Sequence, residues 1–90
     1  MNKADLVEHI ARSADLSRLA AERALDALVT AVKAALKQGQ EVTLAGFGTF
    51  YVAERKARSG RNPRTGEPVA IAAARVPRFR AGKVFKDAIN

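Results

Sequence analysis

A chain of 90 residues with 16 Lys and Arg, nine Asp and Glu, a single His and no Cys carries a net charge of +7, which excludes disulfide staples, thiolate zinc centres and any imidazole metal cluster. Folding a chain this short removes only about 60 to 65% of its extended surface from water, so its apolar core is marginal unless a partner subunit adds to it. The charge is segregated: residues 1–54 hold six basic and seven acidic side chains, whereas residues 55–90 hold ten and two, a net of +8 that suits a polyanion better than a merely solvated face.

No apolar run reaches the roughly 18 residues of a membrane span, and the start of the chain lacks the apolar stretch of a signal peptide, so the expected compartment is the cytoplasm, with no membrane partner. Asn2 is placed to cap a first helix, with Asp5 beside the free amides and Leu6, Val7, Ile10, Ala11 and Ala14 at helical spacing to about Asp15. Ser17 caps a second, longer helix whose stripe is Ala21, Leu25, Leu28, Val32 and Leu36, and Gly39 supplies its stop. Residues 1–39 thus read as a helical base with one broad apolar face.

The pattern then switches to period two. Val42 and Leu44 flank Thr43 in a short strand, Gly46-Phe47-Gly48 turns the chain, and Phe50 and Val52 restart the alternation. Beyond Ala53 the large apolar residues vanish, and Glu54-Arg55-Lys56-Ala57-Arg58 continues as a strand with nothing to pack on a core. The turn formers of Ser59 to Gly66 reverse the chain, which returns through Val69, Ile71 and the alanines at 70 and 72–74. Pro77 is expected to end or kink the returning strand. A closing helix runs from Lys83 to Ile89 with Val84, Phe85 and Ile89 facing inward. Residues 40–54 and 76–81 form a sheet, residues 55–75 a hairpin arm and residues 82–90 the last helix, all within one domain spanning 1–90. Without the arm, 69 residues remain for the body, too few to cover the stripe of the second helix. A homodimer covers it.

Catalysis finds no support in these residues. His9 falls on the polar side of the first helix, the carboxylates are scattered over helix surfaces, and Gly46-Phe47-Gly48 lacks the Lys-Ser/Thr of a phosphate loop. No enzyme activity, cofactor, metal or small-molecule substrate is expected.

The basic hairpin is what demands a partner. Ten residues per leg at about 3.3 Å each reach roughly 33 Å, close to the ~34 Å of one duplex turn. Arg55, Lys56, Arg58, Arg61, Arg64 and Arg75 stud it, and it has no aromatic residue on which single-stranded bases could stack. Duplex is therefore favoured, gripped by two arms of a dimer that stay mobile until DNA orders them. Asn62-Pro63 followed by Gly66 reads from spacing as a turn. A sharper reading of Pro63 is a wedge inserted between base steps, but spacing favours the turn and nothing in the composition selects the wedge.

Gly60-Arg61-Asn62-Pro63-Arg64-Thr65-Gly66 resembles the arm signature of the bacterial histone-like HU and integration host factor family. Gly46-Phe47-Gly48-Thr49-Phe50, Val76-Pro77-Arg78-Phe79, and Gly82-Lys83 with Lys86-Asp87-Ala88 sit at matching spacing, so the resemblance covers the whole chain. It implies an α+β fold: an intertwined dimer with a helical base, a three-stranded antiparallel sheet forming a saddle, and long β-hairpin arms that enter the minor groove. By position, Pro63 would be the wedge, Arg61 and Asn62 its neighbours at the groove edge, and Arg55, Arg58, Arg64 and Arg75 arm contacts. Lys3, Arg80, Lys83 and Lys86 would serve the flank of the saddle, Lys83 also opening a helix whose free amides favour an anion. The dimer core would comprise Leu25, Leu28, Val32, Leu36, Leu44, Phe47, Phe50 and Phe79. One departure is Ala53, where many members carry a basic residue, which puts a contact at the arm base in question.

The function so implied is binding, bending and compaction of duplex DNA in the bacterial nucleoid with little base specificity, because phosphate contacts carry no sequence information and the minor groove barely separates A·T from T·A. Nicked or bent duplex should be preferred, and a related subunit could form a heterodimer. Two alternatives remain: a sequence-specific bender resembling integration host factor, whose subunits tend to run past the point where this chain stops, and a basic RNA-associated structural protein, which would lack any preference for pre-kinked DNA.

Overall fold

The computed structural model describes residues 1–90. In chain order the elements are α1 (Lys3–Ser13), α2 (Arg18–Lys37), β1 (Val42–Leu44), β2 (Gly48–Arg55), β3 (Arg58–Arg61), β4 (Pro68–Ile71), β5 (Ala74–Ala81) and α3 (Lys83–Ile89). The fold is α+β, and the chain divides into two compact units, residues 1–34 and 35–90.

The first unit holds α1 and most of α2. Asn2 and Asp5 form a reciprocal cap: Asn2 Oδ1 accepts from the Asp5 amide at 3.0 Å, and Asp5 Oδ2 accepts from the Asn2 amide at 3.2 Å. Helix α1 stops at Ser13, slightly short of the expected Asp15, because Asp15 takes a left-handed φ of 54° that cannot continue a helix. Ser17 caps α2, its Oγ accepting from the Ala20 amide at 3.1 Å. Val7 and Ala21 are the only fully buried apolar residues of the whole chain, and both lie in this unit.

The second unit begins in the last turn of α2. Gly39, at φ 78°, donates its amide to Leu36 at 3.0 Å while the Gln40 amide reaches Ala35 at 2.9 Å, the paired bonds of a glycine-terminated helix. A three-stranded antiparallel sheet of order β1-β2-β5 follows. Its register sets Val42 against Phe50, and Phe50 in turn against Phe79, with Val52 opposite Pro77 and Glu54 opposite Arg75. Pro77 therefore does not end the returning strand. It sits inside β5, which is an edge strand, and an edge tolerates a missing amide donor.

Alternation separates two faces. One carries Val42, Phe50, Val52, Phe79 and Pro77; there Phe79 meets Phe47 and Phe50 at ring-centroid distances of 5.1 and 4.9 Å, and Phe47 stacks on Phe85 of α3 at 4.8 Å. The cluster closes over Gly48, where an added Cβ would lie 2.5 Å from the Phe79 ring. Phe85 is the inward residue of α3; Val84 and Ile89, expected beside it, are 65% and 74% exposed in the single chain.

Beyond β2 and β5 the hairpin resumes as β3 and β4, with Arg58 opposite Ile71 and Arg61 opposite Pro68. Each expected leg is interrupted, at Lys56-Ala57 and Ala72-Ala73. The gaps are equal in length, so the register on either side is preserved, and Arg55 spans the interruption by donating from Nη2 to the Ala72 carbonyl at 3.3 Å.

Candidate nucleic-acid interface

The tip of the hairpin is built by short-range bonds that its turn formers supply. Asn62 anchors it three times: its amide donates to the Glu67 carbonyl at 2.9 Å, its carbonyl accepts from the Gly66 amide at 2.7 Å, and its side-chain Oδ1 accepts from the Arg64 amide at 2.9 Å. Gly66 takes φ 73°, a conformation that a side chain would strain. Thr65 Oγ1 accepts from the Glu67 amide at 3.3 Å, and Arg61 Nη1 donates to the Gly66 carbonyl at 3.2 Å. Pro63 stands exposed inside this closed loop with Arg64 beside it. The side chain of Asn62 thus holds the turn, and the proline is presented by a fixed loop at the end of a paired ribbon.

The same period of two that makes the apolar face of the sheet makes a second face of Thr43, Thr49, Tyr51, Ala53 and Arg55 with Ala74, Val76, Arg78 and Arg80. Thr43 and Thr49 share a hydroxyl hydrogen bond at 3.1 Å across β1 and β2. Arg80 lies over the Tyr51 ring, its Cζ 5.0 Å from the centroid. No carboxylate belongs to this face; Glu54 alternates to the other one.

Of the residues singled out in the sequence, Arg55, Arg58, Arg61, Asn62, Pro63, Arg64 and Arg80 follow one another along the hairpin and this second face. Lys83 and Lys86 are exposed on α3, whose N-cap Gly82 makes no side-chain bond. Arg75 is placed otherwise. It shares the apolar face with Phe79 and Pro77, and its guanidinium donates to the Lys37 and Leu36 carbonyls at 3.1 and 3.0 Å, ending α2 rather than facing outward with the arm. Lys3 lies in the first unit and pairs with Asp26 at 2.7 Å; the hydrogen bond its ammonium donates to Asp26, reinforced by the carboxylate charge, holds Lys3 above its ordinary pKa. Sequence reasoning passed over Arg78 and Tyr51, although their strand positions, read two apart from Arg80 and Thr49, already put them on the basic face.

The expected dimer-core residues remain open to solvent in the single chain. Leu25, Val32, Leu36 and Phe50 are half-buried, and Leu28, Leu44, Phe47 and Phe79 are exposed. A shallow cleft lined by Glu54, Arg55, Lys56, Ala73, Ala74 and Arg75 marks the place where the hairpin leaves the sheet. No helix is long and apolar enough to cross a membrane.

Comparison with known proteins adds three findings. The family model described as bacterial DNA-binding protein matches residues 1–90. Among curated relatives, the DNA-binding protein HU-beta of Neisseria meningitidis serogroup A is 64% identical over 89 residues, covering 99% of this chain and all of that one. HU-beta of Escherichia coli K12 is 59% identical over the full length of both. Among solved structures, an Anabaena HU in a cocrystal with DNA superposes with a TM-score of 0.91 at 45% identity, covering 99% of this chain and 97% of that one. HU from Thermotoga maritima superposes at 0.73 with 26% identity, each chain covered completely.

Proposed function

Since this chain belongs to the bacterial DNA-binding protein family, we propose that it is an architectural, non-enzymatic protein of the nucleoid that binds duplex DNA with little base specificity, bends it and compacts it. The observation that carries this reading is the fate of the charges. Both ion pairs of the protein, Lys3 with Asp26 and Arg12 with Glu8, lie among the helices of residues 1–37, and none of the ten cations of residues 55–90 pairs with a carboxylate. Nine of them, on a hairpin, one sheet face and a short helix, are left to an external anion, while Arg75 is engaged with the end of α2. Each phosphate they neutralise releases counterions.

Arg55, Arg58, Arg61 and Arg64 are the contacts of the arm to phosphate and groove in this reading, and Arg80, Lys83, Lys86 and Lys3 those of the flank. Pro63 is the wedge that opens a base step. The hydrogen-bonded turn at the tip supports that role, because it presents Pro63 outward at the end of the ribbon. Nicked or pre-bent duplex is preferred because unstacking is cheaper there. The working unit is a dimer: with Leu28 45%, Phe47 41% and Phe79 38% exposed, the single chain leaves apolar surface that a second copy covers. Residues 1–90 act together as one domain in that dimer, in the cytoplasm, and heterodimers with a related subunit are compatible with the same surface.

Binding of several unrelated duplexes measured against salt tests the proposal. Neutralising about six to eight phosphates gives a slope of log K on log salt of roughly −5 to −7, alike for every sequence. A slope near −1, or one sequence bound far more tightly than the rest, contradicts it.

A further inference from the structure

At Ala53 the strand that leads into the arm carries no charge on the face that bears Arg55, Arg78 and Arg80. Along β2 the residues on the basic face are Thr49, Tyr51, Ala53 and Arg55, so the step before Arg55 carries only a methyl group. Across the ladder Ala53 faces Val76, which is equally unable to hold an anion. The next residue of β5 on this face is Arg78, directly opposite Tyr51 and diagonal to Ala53. Diagonal neighbours in an antiparallel pair are about 7 to 8 Å apart at Cα, within reach of a long side chain.

Three observations distinguish Arg78 from the other arginines near the root of the arm. It is exposed and has neither a hydrogen-bond partner nor an ion pair in the protein. Arg75, three residues earlier, points to the other face and is engaged with the end of α2. Arg80, two residues later, lies over Tyr51. Tyr51 is thus bordered by two cations, one already laid on its ring and one unengaged, on a face without a carboxylate.

We infer that Arg78 is a duplex phosphate contact at the root of the arm, supplying from β5 the cation that β2 lacks at Ala53. The inference rests on the duplex-binding reading above and adds a residue to it. The cation enters from the neighbouring strand, and the guanidinium of Arg78 takes the phosphate that passes over the Ala53–Val76 step. Arg78 and a basic side chain at position 53 are then alternative suppliers of one contact, which is a stronger statement than a general surplus of charge.

The test compares salt slopes of duplex binding for the full-length protein and three variants, with thermal melting as a control for folding. Arg78→Ala should make the slope less negative by about 1.8, one phosphate contact of about 0.9 from each protomer of the dimer. The double variant Arg78→Ala with Ala53→Lys should return it to the wild-type value, and Ala53→Lys alone should leave it nearly unchanged, because the phosphate is already occupied. An Arg78→Ala slope equal to wild type overturns the inference, as does a double variant that melts normally yet recovers nothing, or an Ala53→Lys variant that gains a full contact. A wild type without a steep slope would instead remove the duplex-binding reading itself, so the two failures are distinguishable.

Discussion

Arg75 donates from Nη2 to the carbonyl of Leu36 at 3.0 Å, and its second amino nitrogen reaches the carbonyl of Lys37 at 3.1 Å. The last carbonyls of a helix have no partner within it and carry the negative end of its dipole, so a cation there satisfies both. Because Arg75 is the second residue of β5, where the chain re-enters the sheet from the hairpin, one side chain joins the root of the arm to the end of α2.

Replacing Arg75 by Ala should therefore act on stability more than on binding. Hydrogen bonds to a charged group contribute about 1.5 to 3 kcal/mol each where shielded, and solvent exposure reduces the pair here to about 1 to 2 kcal/mol. Melting followed by circular dichroism at fixed protein concentration should show a loss of several degrees, with the salt slope of DNA binding unchanged. A lowered slope with unaltered melting would return Arg75 to the arm contacts.

Gly48 is the tightest point of the phenylalanine cluster. A Cβ there would stand 2.5 Å from both the Phe79 ring and the Arg80 carbonyl, and the latter is backbone that cannot swing aside. Gly48→Ala should cost about 2 to 3 kcal/mol, the upper range for an overpacked core. Gly46, whose added Cβ would meet nothing, should resist substitution only through its φ of 79°. Denaturant melts of the two variants should rank Gly48→Ala well below Gly46→Ala.

Much of this architecture is legible in the sequence, for physical reasons that differ by element. The caps at Asn2, Ser17 and Gly39 depend on neighbours three or four residues away, so local pattern finds them. Phe50 and Phe79 share a face by period two, while Phe47 joins them from the turn before β2 and Phe85 from α3. The partners of Arg75 lie 38 and 39 residues upstream, a distance no spacing rule spans, so its charge and the family resemblance both place it with the arm. The alternation that put Phe79 inward also put Arg75 inward and Arg78 outward, so register would have sorted the arginines where composition could not. The interruption at Lys56-Ala57 and Ala72-Ala73 has no signal among residues that favour neither strand nor turn strongly.

Pro63→Ala should separate bending from affinity. The loop is closed by Asn62, Thr65 and Gly66 without any bond from the proline, so the tip persists and the cations keep their positions. Affinity should fall less than tenfold at low salt while the bend angle drops. Equal bending by the variant would leave Pro63 with a turn-forming role.

The Lys3–Asp26 pair should leave an alkaline signature. Because Asp26 raises the pKa of Lys3 above 10.5, folding favours the protonated form. The stabilisation is full below 10.5 and is lost as pH rises through the higher folded value. Comparing wild type with Asp26→Asn between pH 9 and about 12 should show the two curves converging at the alkaline end. A difference that persists unchanged across this window would assign the effect of Asp26 to something other than the ammonium.

The most direct test of duplex bending is energy transfer between dyes on the two ends of a short duplex, titrated with the wild-type protein at moderate salt. Transfer should rise with occupancy, more for a nicked duplex than for an intact one, and to the same plateau for unrelated sequences. Saturable binding that leaves transfer at the level of free DNA would contradict the account.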